Sequence, residues 1–407
     1  MTISPFRGFF SRGRAAWNPR SFAPGRRRPW SARAPMKISP LPPLVRQEWF
    51  LGVSIVTCLA FFFQGGTLFS KLSNPLWLGF VFLWLFAAVL GSALCVVRHA
   101  DKLALRVGEP YGTLILTLSV TAIEVMSISA VMLHGDNNPT LVRDTLFSVI
   151  MIILGGLVGL SLLIGAWKHK EQQYNLQGAN SYLGVIIPLA ALGLIMPNFT
   201  HTTAGPTLSF AQETFLIVMS AGLYAAFLAI QTGRHRGYFA LGDEAVLGGE
   251  GPPGAPSPPL ARHAALLVIY MLPVAFLAGE FAHPVDYFIE TLRAPVVLGG
   301  VMMALLVATP EAIGAVRAAD ANHLQRAMNI FLGSVLSTIG LTIPLMLLVS
   351  HLTGRSLILG VQGTDLVMLL LTLAVSVVTF ASGRTNVLQG AVHLLLFAAY
   401  VLLIFQG

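Results

Sequence analysis

The sequence predicts an all-α, polytopic membrane protein of about eleven transmembrane helices. Three observations carry this. The 407 residues are 55% hydrophobic and only 10% charged, with a mean hydropathy of +0.75, whereas a soluble globular domain carries about 25% charged residues. The apolar residues gather in runs of about 20, the length a helix needs to cross a hydrocarbon core. Most links between the runs are short, and the runs lack the alternation of about 10-residue barrel strands. Only helices and closed barrels span lipid, so the runs read as helices.

Taken in order, the runs fall at 50–69, 75–97, 111–133, 146–167, 182–197, 212–231, 264–282, 294–316, 327–349, 363–380 and 389–405. The first two each hold one cysteine, Cys58 and Cys95, which read as inert core thiols. The third encloses Glu124 and the fourth is studded with glycine. The fifth is short and carries Pro188 and Pro197, the weakest pattern of the set. Glu213 and Glu280 lie at the ends of the sixth and seventh, where they read as interfacial. The eighth encloses Pro310 and Glu311, the ninth is again glycine-studded, and the last carries His393. His393 reads as a packing histidine, with proton shuttling as the alternative.

Charge is confined to the edges. The net charge is +8, yet residues 1–48 alone hold nine arginines and Lys37 against the single acid Glu48. This speaks against a nucleic-acid-binding body and for a basic tail beside anionic headgroups. The tail reads as disordered, with a mis-assigned start (Met36 for Met1) and a targeting peptide as alternatives. Residues 232–262, rich in Gly and Pro, read as a flexible hinge between 49–231 and 263–407. Its acids Asp243, Glu244 and Glu250 read as a solvated loop, with a regulatory cation site as the alternative. With the N-terminus inside, the inner links hold eleven basic residues against four outside, Lys71, Arg143, Arg293 and Arg355. That places the C-terminus outside.

Setting the first helix apart leaves five before the hinge and five after. An odd number per half inverts the second half relative to the first, the inverted repeat of secondary transporters. Glu124 and Glu311 each fall in the second helix of their five. An ionised carboxylate in a membrane survives only if it faces a cavity, a partner or an ion. Two of them, one per half, point to a cation or proton pathway.

The surroundings supply oxygen ligands. Thr113, Thr117, Thr121, Glu124 and Ser127 form one polar stripe, which suits a hard cation; helix packing through self-bonded hydroxyls is the bland alternative. Pro310 cannot donate to the carbonyl one turn earlier, so it predicts a helix break or bend beside Glu311. The next helix offers Asn329, Ser334, Ser337 and Thr338 between Gly333 and Gly340. No GxxxxGK[ST] phosphate loop is present, so transport must draw on an ion gradient. No GxSxG elbow supports an intramembrane enzyme.

Long stretches of the chain resemble a known family. VVRHADKLALRVGEPYGTLILTLSVTAIEVMSISAVM, PTLVRDTLFSVIMIILGGLVG, ATPEAIGA, QRAMNIFLGSVLSTIGLTIP and SGRTNVLQGAVHLLLFAAY are similar to the bacterial Cha-type calcium/proton antiporters, in the cation/proton exchanger branch of the calcium/cation antiporter superfamily. The likeness covers about residues 45–406. It implies one extra helix plus two inverted five-helix repeats, with Glu124 and Glu311 sharing a cation site in a bacterial inner membrane. It further implies export of Ca²⁺, Na⁺ or K⁺ for entering protons. The expected partners are those ions, protons and membrane lipid, with no nucleic acid and no cofactor, and the oligomeric state is left open. Many relatives read GNxxE at each glutamate, whereas this chain reads VTAIE and VATPE. The cation preference therefore stays open between Ca²⁺ and a monovalent Na⁺ or K⁺ exchanger, with a channel as a more distant alternative.

Overall fold

A computed structural model describes residues 47–108, 111–134, 138–203, 205–240 and 259–406. Residues 1–46 of the basic tail and most of the expected hinge, with its three acids, lie outside the described residues. From Glu48 onward the described residues form one unit.

Eleven long helices make up that unit. They are α1 (Trp49–Phe69), α2 (Pro75–Val107), α3 (Tyr111–Met132), α4 (Leu141–His169), α5 (Leu176–Phe199), α6 (Phe210–Arg234), α7 (Leu260–Thr291), α8 (Val297–Asp320), α9 (Leu324–Thr353), α10 (Gly363–Thr379) and α11 (Val387–Gln406). All but α10 are long and apolar enough to cross a membrane, and α10 is a shorter apolar helix. Large apolar side chains such as Phe62, Phe63, Leu76 and Trp167 point outward and exposed. In water that surface would be an aggregation liability; in lipid it is the required exterior.

Hydropathy set the expected helix ends, and several helices run further. α2 continues ten residues past its expected end, to Val107, and takes in Arg98, Lys102 and Arg106. The segment ADKLALRV is polar but rich in strong helix formers, so the helix outlasts the lipid. At about 1.5 Å per residue its 33 residues reach well beyond a hydrocarbon core of about 30 Å. The fifth helix is a full 24 residues. It begins at Asn175, whose side chain caps Gln177 N–H, and it carries Pro188 inside. α7 runs on to Thr291, so Glu280 sits well within it rather than at its end. Its carboxylate is half-buried beside Gly65 of α1.

The first helices of the two repeats, α2 and α7, pack together, and α3 packs on both. The third helices, α4 and α9, are the most enclosed; α1, α6 and α11 are the most peripheral. Both central helices are interrupted by π-helical turns, Met151–Leu157 in α4 and Thr338–Thr342 in α9. Such turns free backbone groups and recur at functional sites. Close approach is set by glycine: a Cβ on Gly300 of α8 would fall 2.6 Å from the Asp144 backbone carbon of α4.

Backbone pairings beyond the helices' own ladders show how the halves interlock. β1 (Gln172–Gln173), after α4, pairs antiparallel with β2 (Arg384–Thr385), between α10 and α11. At the opposite ends, Ile358 N–H donates to Pro139 C=O and Val361 N–H donates to Leu194 C=O, each at 2.8 Å. Each pairing joins segments that the alternating path of the chain puts on one face, as inverted five-helix repeats require.

Candidate functional site

Glu124 lies midway along α3, 1% exposed. Its Oε2 accepts hydrogen bonds from Thr342 Oγ1 at 2.7 Å and Thr338 Oγ1 at 3.2 Å. Both threonines belong to the π turn of α9, so the glutamate of one repeat is held by the irregular helix of the other. The second oxygen, Oε1, has no hydrogen-bond partner among the described residues. The same is true of Thr121 Oγ1 and Ser127 Oγ, one turn before and after it. Three buried oxygens on one helix face, each costing about 1–3 kcal/mol if left unmade, make a donor set suited to a cation or water.

Glu311 lies on α8, close enough to interact electrostatically with Glu124. Its carboxyl stands near the Ser334 hydroxyl of α9. Unlike Glu124, it borders a cavity of about 520 Å³. Thr113 and Thr117 of α3, Pro310 of α8, and Asn329, Ser334 and Ser337 of α9 share that wall. Asp101, Arg326 and Gln231 line the cavity nearer the helix ends. All these belong to the halves of their helices that the basic-residue bias assigns to the inner face.

The cavity brings the sequence-predicted residues together in unequal roles. Thr117 stands near Tyr224, which also lines the cavity. Ser337 donates to its own helix at Ser334 C=O, 2.9 Å away. The Asn329 amide is occupied: Nδ2 donates to Phe239 C=O at 2.7 Å and Oδ1 accepts from Gln325 at 3.0 Å. Thr121 is not on the cavity wall but behind it with Glu124. The break expected at Pro310 differs from what is seen, because α8 stays helical from Val297 to Asp320 through the proline. A proline removes one hydrogen bond, and packing on both sides holds the rest of the ladder; Thr309 also bonds the Leu305 carbonyl. Irregular backbone lies instead in π turns, inside α4 and α9 and toward the ends of α5, α6 and α7.

Thr342 escaped the sequence reading, although its spacing of four from Thr338 was a usable signal. His393 is fully buried, with Nδ1 at 2.7 Å from Leu154 C=O and Nε2 at 2.9 Å from Thr379 Oγ1. The first bond caps a carbonyl of the α4 π turn. Both ring nitrogens are therefore used in packing.

Two segments of the chain, residues 77–233 and 262–406, match the model of the sodium/calcium exchanger protein family. The chain belongs to that family. The two matches fall one on each five-helix half. The sodium-potassium/proton antiporter ChaA of Escherichia coli (strain K12) is 44% identical over 321 residues, covering 78% of this chain and 86% of that protein. The Ca²⁺/H⁺ antiporter ChaA of Bacillus subtilis (strain 168) is 22% identical over 332 residues, 78% of this chain and 91% of that one. The solved structure of native YfkE superposes with a TM-score of 0.66 at 17% identity, covering 89% of this chain and 99% of that chain. The fold is thus that of a multi-pass cation exchanger.

Proposed function

We propose that the protein is a secondary antiporter that exchanges Na⁺, K⁺ or Ca²⁺ for protons through Glu124 and Glu311. One observation carries this reading: Glu311 of the second repeat lines a cavity, and Glu124 of the first lies close enough to interact with it electrostatically. Glu311 stands on the cavity wall and Glu124 directly behind it, with a buried oxygen still unpartnered. A carboxylate binds either a proton or a cation, so shared carboxylates couple the two fluxes. Glu124, Glu311, Thr121 and Ser334 offer oxygens to the cation, with Thr117, Asn329 and Ser337 shaping the approach. In this reading the cavity faces the cytoplasm of a bacterial inner membrane and the C-terminus faces the periplasm. The basic-residue bias of the links supports that orientation.

A narrower reading is monovalent exchange with little Ca²⁺ activity. The 44% identical relative, named a sodium-potassium/proton antiporter, favours it. Inverted vesicles with an imposed proton gradient and a pH-sensitive dye decide between them. Dissipation by Na⁺ and K⁺ but not Ca²⁺ gives the narrower reading, and dissipation by Ca²⁺ gives the broader one. Equal responses from wild type and Glu311→Gln would overturn both.

A further inference from the structure

A second group of titratable side chains is buried between α1, α2 and α7, on the side of α2 away from the cavity. His99 of α2 is fully buried and His263 of α7 is 4% exposed. Their Nδ1 atoms lie 3.0 Å apart. Nε2 of His99 is 3.3 Å from Oε2 of Glu48, the residue that opens α1. The same oxygen accepts from Arg98 and from the Tyr270 hydroxyl, the latter at 3.1 Å. Burial pulls the Glu48 carboxyl up, but Arg98, His99 and Tyr270 outweigh it, leaving the group below the usual carboxylate range.

The contact between the rings counts protons. An Nδ1···Nδ1 hydrogen bond needs a proton on one ring and a lone pair on the other. It forms when the pair is neutral or holds one added proton. A second added proton puts N–H on both facing atoms, and the bond is lost. The surroundings are mostly cationic: α2 brings Cys95, Arg98, Lys102 and Arg106, α7 brings Arg262 and Tyr270, and α1 brings only Glu48.

This contact is tied to the cation path by one helical turn. Val97 and Asp101 flank His99 on α2, and both line the cavity that reaches Glu311. The turn is therefore pinned to α7 and α1 on one side and walls the cavity on the other.

We propose that His99 and His263 form a second proton-binding site, separate from the two glutamates. With at most one added proton the pair ties α2 to α7. With two it releases that turn, and exchange slows. Protons delivered to this face by exchange would then brake further delivery. The proposal goes beyond the exchange reading and rests on it only for its transport measurement.

The test uses the full chain in vesicles, with pH on the cavity face varied from about 7.5 to about 4.5, because burial and the surrounding cations hold both imidazoles below the ordinary histidine value of about 6.5. Proton competition at the glutamates is relieved by saturating cation and so moves KM, whereas release of the turn moves the maximal rate. Wild type is expected to lose most of its maximal rate over this range. His263→Gln is expected to stay flat, because a glutamine amide can donate or accept and keeps the tie at either charge of His99. An equal loss in wild type and variant would overturn the proposal. Hydrogen exchange of residues 95–103 in wild type, corrected for intrinsic rate, gives a reading independent of transport and of the variant's folding. Protection should fall between the two pH values, and unchanged protection would overturn the proposal.

Discussion

Thr342 of the second repeat donates a 2.7 Å hydrogen bond to Glu124 of the first. Hydrogen bonds to a charged group are worth about 1.5–3 kcal/mol. Thr342→Val keeps the shape and removes the donor, leaving Thr338 alone on that oxygen. Apparent cation affinity should fall about tenfold with the maximal rate largely kept, which initial-rate transport over a cation series measures.

Neutralising either glutamate should abolish exchange without unfolding the protein. Glu124→Gln and Glu311→Gln each remove the charge that a cation needs while keeping the volume. Both variants should elute as wild type from size exclusion in detergent and show no cation-dependent dye response. Robust exchange by both would remove the two carboxylates from the mechanism.

Glu48 should make stability depend on acid. Its carboxyl is held below the usual range in the folded protein. Its contribution is therefore complete above the unfolded value, about 4.3, and is lost as pH falls through the folded one. Wild type should lose thermal stability in detergent on acidification through and below that value. Glu48→Gln should melt lower at neutral pH and lose less on acidification.

Gly300→Ala should be poorly tolerated. The added Cβ would lie 2.6 Å and 2.7 Å from Asp144 and Thr145 backbone atoms, which cannot rotate away. Overpacking of this kind costs about 1–3 kcal/mol. A lower melting temperature with reduced exchange is expected, since α8 also carries Glu311.

His393→Phe separates packing from proton shuttling. It leaves Leu154 C=O and Thr379 Oγ1 without their bonds to this ring, at about 1–3 kcal/mol for each buried group left unpaired. The variant should melt lower yet still exchange. Complete loss of exchange in a well-folded variant would give His393 a direct role.

The sequence makes the glutamate helices legible because a carboxylate in an apolar run has few explanations in lipid. Thr117, Ser334 and Asn329 are found by helical spacing from those runs. Spacing does not tell which hydroxyls turn inward to a carboxylate and which bond their own helix, as Ser337 does. The π turns leave no trace in periodicity, so the interruption is expected at Pro310 and found in α4 and α9. The His99–His263 contact joins residues 164 positions apart, beyond the reach of any local pattern. Glu48 counts as part of a basic tail by composition but stands at the head of α1. The end of α2 is misplaced for a related reason, since hydropathy follows the lipid and not the helix.

The backbone pairings between the halves divide the molecule into a part that is stapled and a part that is not. β1 with β2 on one face, and Pro139 with Ile358 and Leu194 with Val361 on the other, fasten α4, α5, α10 and α11 across both halves. Among the described residues no backbone pair of this kind joins α2 or α7 to a link of the other half. The backbone bonds therefore tie α4, α5, α10 and α11 into one frame across the halves. The long pair α2 and α7 carries no such tie, so the packing of its side chains, and not a backbone pairing, fixes where it stands against that frame.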